Sequence, residues 1–366
     1  MTARHVVVKV GTQLLTAQAK QAGLDQAYIN EIAGQIAALR QSGYEITLVS
    51  SGAIGAGCAE LGLKRRPTDV ADSQAVAAVG QRLLMSHMHE AFSRHGLSVG
   101  QVLLTRDDFD DRVRFLNIRN CVTRLHAMGC VPILNENDTV AVEEIRFGDN
   151  DMLAALMCNA LRADALVLLT VVAGLLDREG NLIDLVDDVA GFMNLARREK
   201  STWGTGGMSS KLEAARLVTE AGEIAVIASG REEHVLPRIF GGERVGTVFV
   251  PAERKLGSRD RWIALTARPS GIVTIDGGAV TAIAKGHKSL LATGITDLTG
   301  RFERGEVLLV RDPAGREIAR GLTNYSADEL RLIMGKKSNQ FAKILGRPGY
   351  GEVIHRDNLV VLSQVG

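Results

Sequence analysis

Aromatic residues make up only 4% of this 366-residue sequence. That scarcity argues against a protein that binds single-stranded nucleic acid by stacking bases on rings. An excess of charge is missing too: 43 Lys and Arg against 42 Asp and Glu leave a formal charge of +1. The chain as a whole therefore has no nucleic-acid signature, although local basic patches remain allowed. The four cysteines, Cys58, Cys121, Cys130 and Cys158, include no C-x-x-C pair and no His cluster at metal spacing. That usage fits buried thiols in a reducing cytosol. The apolar run in MTARHVVVKVG is too short for a signal peptide. The most apolar stretch, Ala163 to Leu176, falls short of the ~18–20 residues a membrane helix needs. Together these absences predict a soluble, cytoplasmic protein with no membrane partner.

What the sequence does have is a 46% hydrophobic fraction and enough length for two domains. Short apolar runs at Val6–Val10, Ile46–Val49, Val99–Leu104, Val131–Leu134, Ala165–Leu169 and Ile224–Ala228 read as buried parallel strands. Longer amphipathic segments lie between them; Ile29, Ile32, Ala33, Ile36 and Leu39 repeat at helical spacing, and glycines at 43, 96, 129 and 222 mark helix ends. The alternation predicts an α/β domain over residues 1–255, with a mostly parallel open sheet flanked by helices. The charged stretch PAERKLGSRDRW introduces a linker, placed at 256–270. Residues 271–366 then read as a small, mainly β domain from the runs IVTID, AVTAIA, GEVLLV and REIARGL, with one helix near Ala327–Met334.

Small and polar residues gather where the six strands end: Lys9 and Gly11, Ser50 to Gly52, Thr105, Asn135 to Asp138, Thr170, and Ser229 with Gly230. Ligands of open α/β sheets bind outside that carboxyl edge. The stretch GTGGMSSKLEAA, Gly204 to Ala215, resembles a P-loop but breaks its spacing, because the second Gly and Lys211 are not adjacent and no Ser or Thr follows the Lys. Ser210 and Glu213 have capping-box spacing, which predicts a helix starting at Lys211. A cation in the first helical turn opposes the helix dipole unless an anion sits there with it. Lys9 is a second cation at a strand end, and an ammonium buried there needs a counter-charge or a route to water. Taken alone, each lysine could be a solvated side chain. Together, two ammonium groups and two glycine turns at one sheet edge suit a polyphosphate undergoing cleavage.

SSGAIGAG, Ser50 to Gly57, fails the dinucleotide fingerprint and fits either close approach to an anion or tight packing. NENDTV and FGDND supply carboxylates and amides. Asp149, Asn150 and Asp151 fall at the start of a helix over Met152–Leu161, which needs one N-cap. Three polar residues exceed that need, and a carboxylate here could instead orient two lysines while its neighbours bind an amino-acid ammonium.

VVVKVGT, VSSGAIGAG, VGQVLLTRDDFDDRVRFLN, VPILNENDTV, GDNDMLAA and GTGGMSSK occur in this order and resemble the glutamate 5-kinase family of the amino-acid kinase superfamily. The tail from Gly271, including ITDLTGRFERGEVLLV and EVIHRDNL, resembles the PUA domain that many bacterial members carry. The resemblance implies ATP-dependent phosphorylation of the γ-carboxylate of L-glutamate, with Mg²⁺ bound to the nucleotide. It assigns catalysis to Lys9, Lys211 and Asp151. ATP contacts fall to Lys9, Gly11, Thr170, Val171, Thr205, Gly206, Gly207, Met208, Ser209, Ser210 and Lys211. Glutamate contacts fall to Ser51, Gly52, Asp138 and Asn150. It further implies feedback inhibition by proline, a homo-oligomer (dimer or tetramer), and functional association with a glutamyl-phosphate reductase. One position departs from the family pattern: LLTVVAGLL has Val171 where members often have Asp. Two alternatives remain at this level. One is another superfamily activity, on N-acetylglutamate, aspartate, UMP or carbamate; the other is an RNA-associated protein acting through the PUA-like tail.

Overall fold

The computed structural model describes residues 4–16, 23–141, 150–189, 191–193, 207–253 and 255–362. They fall into two compact units, Met1–Lys255 and Leu256–Gly366.

The strands of the first unit are β1 (Arg4–Val10), β2 (Tyr44–Val49), β3 (Val99–Leu104), β4 (Val131–Glu136), β5 (Ala165–Thr170), β6 (Leu175–Leu176), β7 (Leu182–Ile183), β8 (Leu185–Val186), β9 (Ile224–Ser229) and β10 (Thr247–Phe249). Eight of them form one sheet in the order β3-β4-β2-β1-β5-β9-β10-β8. Every pairing in it is parallel except β9 with β10. The described helices that matter for the site are α1 (Thr12–Leu15), α2 (Gln26–Gln41), α3 (Ala53–Glu60), α4 (Val70–Ser93), α5 (Asp107–Asp110), α6 (Arg112–Ala127), α7 (Asn150–Leu161) and α8 (Gly207–Glu220). Left-handed glycines at 43, 96, 129 and 222 follow α2, α4, α6 and α8, as the sequence pattern predicts.

Alternation along β1 decides what faces what. Val6, Val8 and Val10 enter one apolar cluster with Ile29, Ile32 and Ile36 of α2 and Leu84 and Met88 of α4. Val7 and Lys9 therefore project from the opposite face, because successive side chains of a strand point to opposite sides. The chain runs from β1 to β2 on one side of the sheet and from β5 to β9 on the other. The crevice of this switch point opens between the carboxyl ends of β1 and β5, where such folds seat their ligands.

The glycines of SSGAIGAG serve packing and turning. Gly52 adopts φ +100° at the start of α3, a conformation that L side chains resist. A Cβ at Gly57 would collide with the carbonyl of Val76, and one at Gly80 of α4 with the carbonyl of Ala53. α3 and α4 thus lock together backbone to backbone.

The second unit has a five-stranded sheet of β11 (Gly271–Ile275), β12 (Ile295–Gly300), β13 (Val307–Arg311), β14 (Glu317–Leu322) and β15 (Leu359–Val361), ordered β12-β11-β13-β14-β15. Two expectations are corrected here. AVTAIA is not a strand: Gly277–Ala284 is a helix, capped by the Asp276 carboxylate, which accepts from the Ala279 amide at 2.7 Å. The segment 256–270 is not an open linker either. Ser258–Arg261 and Trp262–Thr266 are helical, Arg261, Trp262 and Ile263 are buried, and Arg320 of β14 donates to the Ala264 carbonyl at 2.9 Å.

Candidate active site

Lys9 leaves β1 on the face opposite α2 and meets Asp151 in the first turn of α7. Its Nζ lies 2.6 Å from Asp151 Oδ1, while Lys211 Nζ, from the fifth residue of α8, lies 2.9 Å from Asp151 Oδ2. The group is almost dry: Asp151 is 0%, Lys9 2% and Lys211 6% exposed. Burial alone pushes the Asp151 carboxyl up, but the charges of Lys9 and Lys211, and their hydrogen bonds, more than reverse this and hold it below its ordinary value. Asp151 is ionised at neutral pH and clamps two cations side by side.

The expected capping box on α8 does not form. The helix already includes Gly207, and the Ser210 hydroxyl donates to Asp151 Oδ2 at 2.8 Å, while Glu213 accepts from Arg216. Ser210 thus belongs to the Asp151 cluster, and Lys211 also donates to the Gly207 carbonyl at 3.1 Å.

Lys9 and Lys211 line a cleft of about 630 Å³ between the ends of β1 and β5. Gly11, Thr170, Val171, Gly207 and Met208 line it too. The Gly11 amide donates to the Leu169 carbonyl at 3.1 Å, which ties the β1 turn to β5. Ser209 is exposed on α8 and does not line the cleft. Thr205, Gly206 and Asp149 lie outside the described residues. Sequence reasoning missed Gln13, Asp177 and Arg178, which complete the cleft wall. The DREGN turn after LLTVVAGLL was the available signal, because loops at a switch point contact ligands.

On the other side of Asp151, the neighbouring Asn150 binds a second cluster. Its Nδ2 lies 2.7 Å from the Ser50 carbonyl, 2.9 Å from Ser51 Oγ and 2.7 Å from Asn135 Oδ1. Asn150 Oδ1 is buried and has no hydrogen-bond partner among the described residues. Asp138 sits half-buried in the turn after β4, and Gly52 caps α3 directly after Ser51. Asn135 and Gln81 also belong to this cluster, with Asn135 Nδ2 donating to Gln81 Oε1 at 2.7 Å. Neither was a predicted site residue. Asn135 was visible in NENDTV, but Gln81 is one polar residue on a long helix and carries no local signature.

Residues 4–228 match the model of the amino acid kinase family, and residues 271–345 that of the PUA domain. Glutamate 5-kinase of Gloeobacter violaceus is 47% identical over 98% of this chain and 99% of its own length. That of Methylococcus capsulatus is also 47% identical, over 98% and 97%. The chain belongs to the glutamate 5-kinase family. Giardia lamblia carbamate kinase bound to AMP-PNP shares the fold of the first unit, with a TM-score of 0.51 over 69% of this chain and 99% of that one, at 17% identity. Within glutamate 5-kinases the two clusters acquire an order: the double-lysine cleft and the amide pocket adjoin through consecutive residues, Asn150 and Asp151. No helix among the described residues is long and apolar enough to cross a membrane.

Proposed function

We propose that this chain transfers the γ-phosphoryl group of ATP to the γ-carboxylate of L-glutamate, giving ADP and L-glutamyl 5-phosphate, the first step of proline synthesis from glutamate. The observation that carries the reading is the pairing of Lys9 and Lys211 on one buried carboxylate at the mouth of the cleft.

The chemistry follows from charge. A glutamate side chain with a pKa near ~4.3 is already ionised at neutral pH, so the nucleophile needs no base. The carboxylate oxygen forms the new O–P bond as the bond from the γ-phosphorus to the β,γ-bridging oxygen breaks, and ADP leaves with the electron pair. Little covalent work is left to the protein beyond positioning and stabilising charge on the transferring group. Lys9 and Lys211 supply two preorganised ammonium groups, and Asp151 holds them at fixed separation. Gly11, Thr170, Val171, the sequence Thr205–Gly206 and the start of α8 from Gly207 to Ser210 form the nucleotide's surroundings. Asn150 Oδ1, an acceptor lacking a donor, suits the substrate's α-ammonium, with Ser51, Gly52 and Asp138 around the same end. Among the described residues the carboxylate buried beside the lysines, Asp151, is already paired with both, so a Mg²⁺ would be held chiefly by the nucleotide itself. It would supply further neutralisation of phosphate charge. Proline inhibition, self-association, a cytoplasmic location and hand-over of the labile acyl phosphate to a reductase belong to the same reading.

Hydroxylamine trapping tests the substrate. ATP- and Mg²⁺-dependent hydroxamate is expected with L-glutamate and at most a few per cent of that rate, on the order of the discrimination a misfitted polar site imposes, with N-acetylglutamate or aspartate. Equal rates with N-acetylglutamate would exclude the α-ammonium as the recognised group.

Val171 gives a narrower test. Its side chain is half-buried against the apolar cluster of the first unit, so it contributes packing where family members often offer a carboxylate. Val171→Asp is expected to lower KM for ATP by up to about tenfold, the value of one charged hydrogen bond, at some cost in Tm. An unchanged KM for ATP would show that backbone contacts suffice at this position.

A further inference from the structure

The polarity of the amide pocket is set outside it. The backbone N–H of Glu136 donates to Asn135 Oδ1 at 2.9 Å. A backbone N–H can only donate, so it fixes which end of the Asn135 amide is oxygen. Asn135 Nδ2 must then find an acceptor, and Gln81 Oε1 provides it at 2.7 Å. With its oxygen turned inward, Asn135 can only accept from Asn150, which presents Nδ2 at 2.7 Å. The Ser50 carbonyl, 2.7 Å from the same Nδ2, imposes the same polarity, and Asn150 Oδ1 is directed away from both, without a partner among the described residues.

The far end of this chain is anchored. Gln81 follows Gly80, whose backbone lies against the Ala53 carbonyl too closely to admit a Cβ. α4 also reaches the segment that follows β4, because Gln74 Nε2 donates to the Ala141 carbonyl at 3.2 Å. Gln74 and Gln81 are two helical turns apart and share one face of α4.

We infer that Gln81 is a positioning residue for the amino-acid substrate: by accepting from Asn135 Nδ2 it holds Asn135 Oδ1 against Asn150, and so keeps the Asn150 oxygen in place for the substrate's ammonium. Without an acceptor at position 81, the buried Asn135 Nδ2 is left unpaired, and the side chain must shift to find another acceptor. That shift withdraws Asn135 Oδ1 from Asn150 Nδ2, which is then held from the Ser50–Ser51 side alone. An Asn150 held on one side presents its oxygen less firmly to a cation. The inference rests on the reading of Asn150 as the ammonium's acceptor.

Steady-state kinetics on the full chain separates the two. Gln81→Met removes the acceptor at similar length, and Gln81→Asn withdraws it by one methylene. Each is expected to raise KM for glutamate about tenfold while kcat and KM for ATP stay within about twofold, as loss of one oriented hydrogen bond to a charged group requires. Gln81→Glu retains an acceptor and is expected to stay within about threefold of the wild type. In an Asn150→Ala background Gln81→Met should add nothing, because its effect passes through Asn150. An unchanged KM in both Gln81→Met and Gln81→Asn, an equal rise in Gln81→Glu, or full additivity with Asn150→Ala would each overturn the role of Gln81. If Asn150→Ala alone left KM for glutamate unchanged, the underlying reading would fall and this inference with it.

Discussion

Lys211→Ala is expected to lower kcat by about a thousandfold while moving KM for glutamate less than about threefold, the signature of a group that acts on the transition state. Lys211 is 6% exposed, and its ammonium is bonded to Asp151 Oδ2 at 2.9 Å. It is thus preorganised in a site of low polarity, where a fixed charge acts on developing charge far more strongly than in water. It follows the first turn of α8, close to the positive end of the helix dipole, which favours the same anion. Initial-rate kinetics over both substrates checks this. A large rise in KM for glutamate with kcat intact would assign Lys211 to substrate binding.

Asp151→Asn is expected to cost the nucleotide-free protein about 3–5 kcal/mol of stability, because it leaves two nearly dry ammonium groups without a counter-charge. ATP should restore much of that loss, since the phosphates supply the missing anion, so the variant's Tm should rise more on ATP addition than the wild type's. The pH dependence has a definite sign. The Asp151 carboxyl is held below its ordinary value in the fold, so its contribution is fully present above the unfolded-state pKa of about 3.9 and is lost as pH falls through the lower folded value. The stability gap between wild type and Asp151→Asn should therefore be constant near neutrality and close only below about pH 4. Chemical denaturation at a series of pH values reads it. A gap that closed between pH 8 and 6 would mean that another group carries the effect.

The parallel sheet and the two lysines were legible because their signals are local. Six apolar runs with polar residues at their ends can be read without knowing any partner, and the alternation of β1 alone puts Lys9 on the face away from Val8 and Val10. Short patterns were less faithful. AVTAIA satisfies a period of two and a helical period about equally over six residues, and the Asp276 cap decided for the helix. Ser210 and Glu213 have capping-box spacing, but i and i+3 are also neighbours inside a helix, and the buried Asp151 carboxylate claims the Ser210 hydroxyl. The charges of 256–270 concealed a buried run that includes Arg261, Trp262 and Ile263. Gln81 was illegible for a different reason. Its partner Asn135 is 54 positions away, and no helical periodicity distinguishes a glutamine that orients an amide from one that faces water.

Phosphoryl transfer to a carboxylate leaves an isotopic record. With L-glutamate carrying ¹⁸O in its γ-carboxylate, ATP and hydroxylamine, the bridging oxygen of the acyl phosphate departs with phosphorus when nitrogen attacks the carbonyl carbon. The expected result is one ¹⁸O atom in each inorganic phosphate released in step with hydroxamate, read by phosphorus NMR. Phosphate free of ¹⁸O, released at the same rate, would mean that water and not the glutamate carboxylate takes the phosphoryl group.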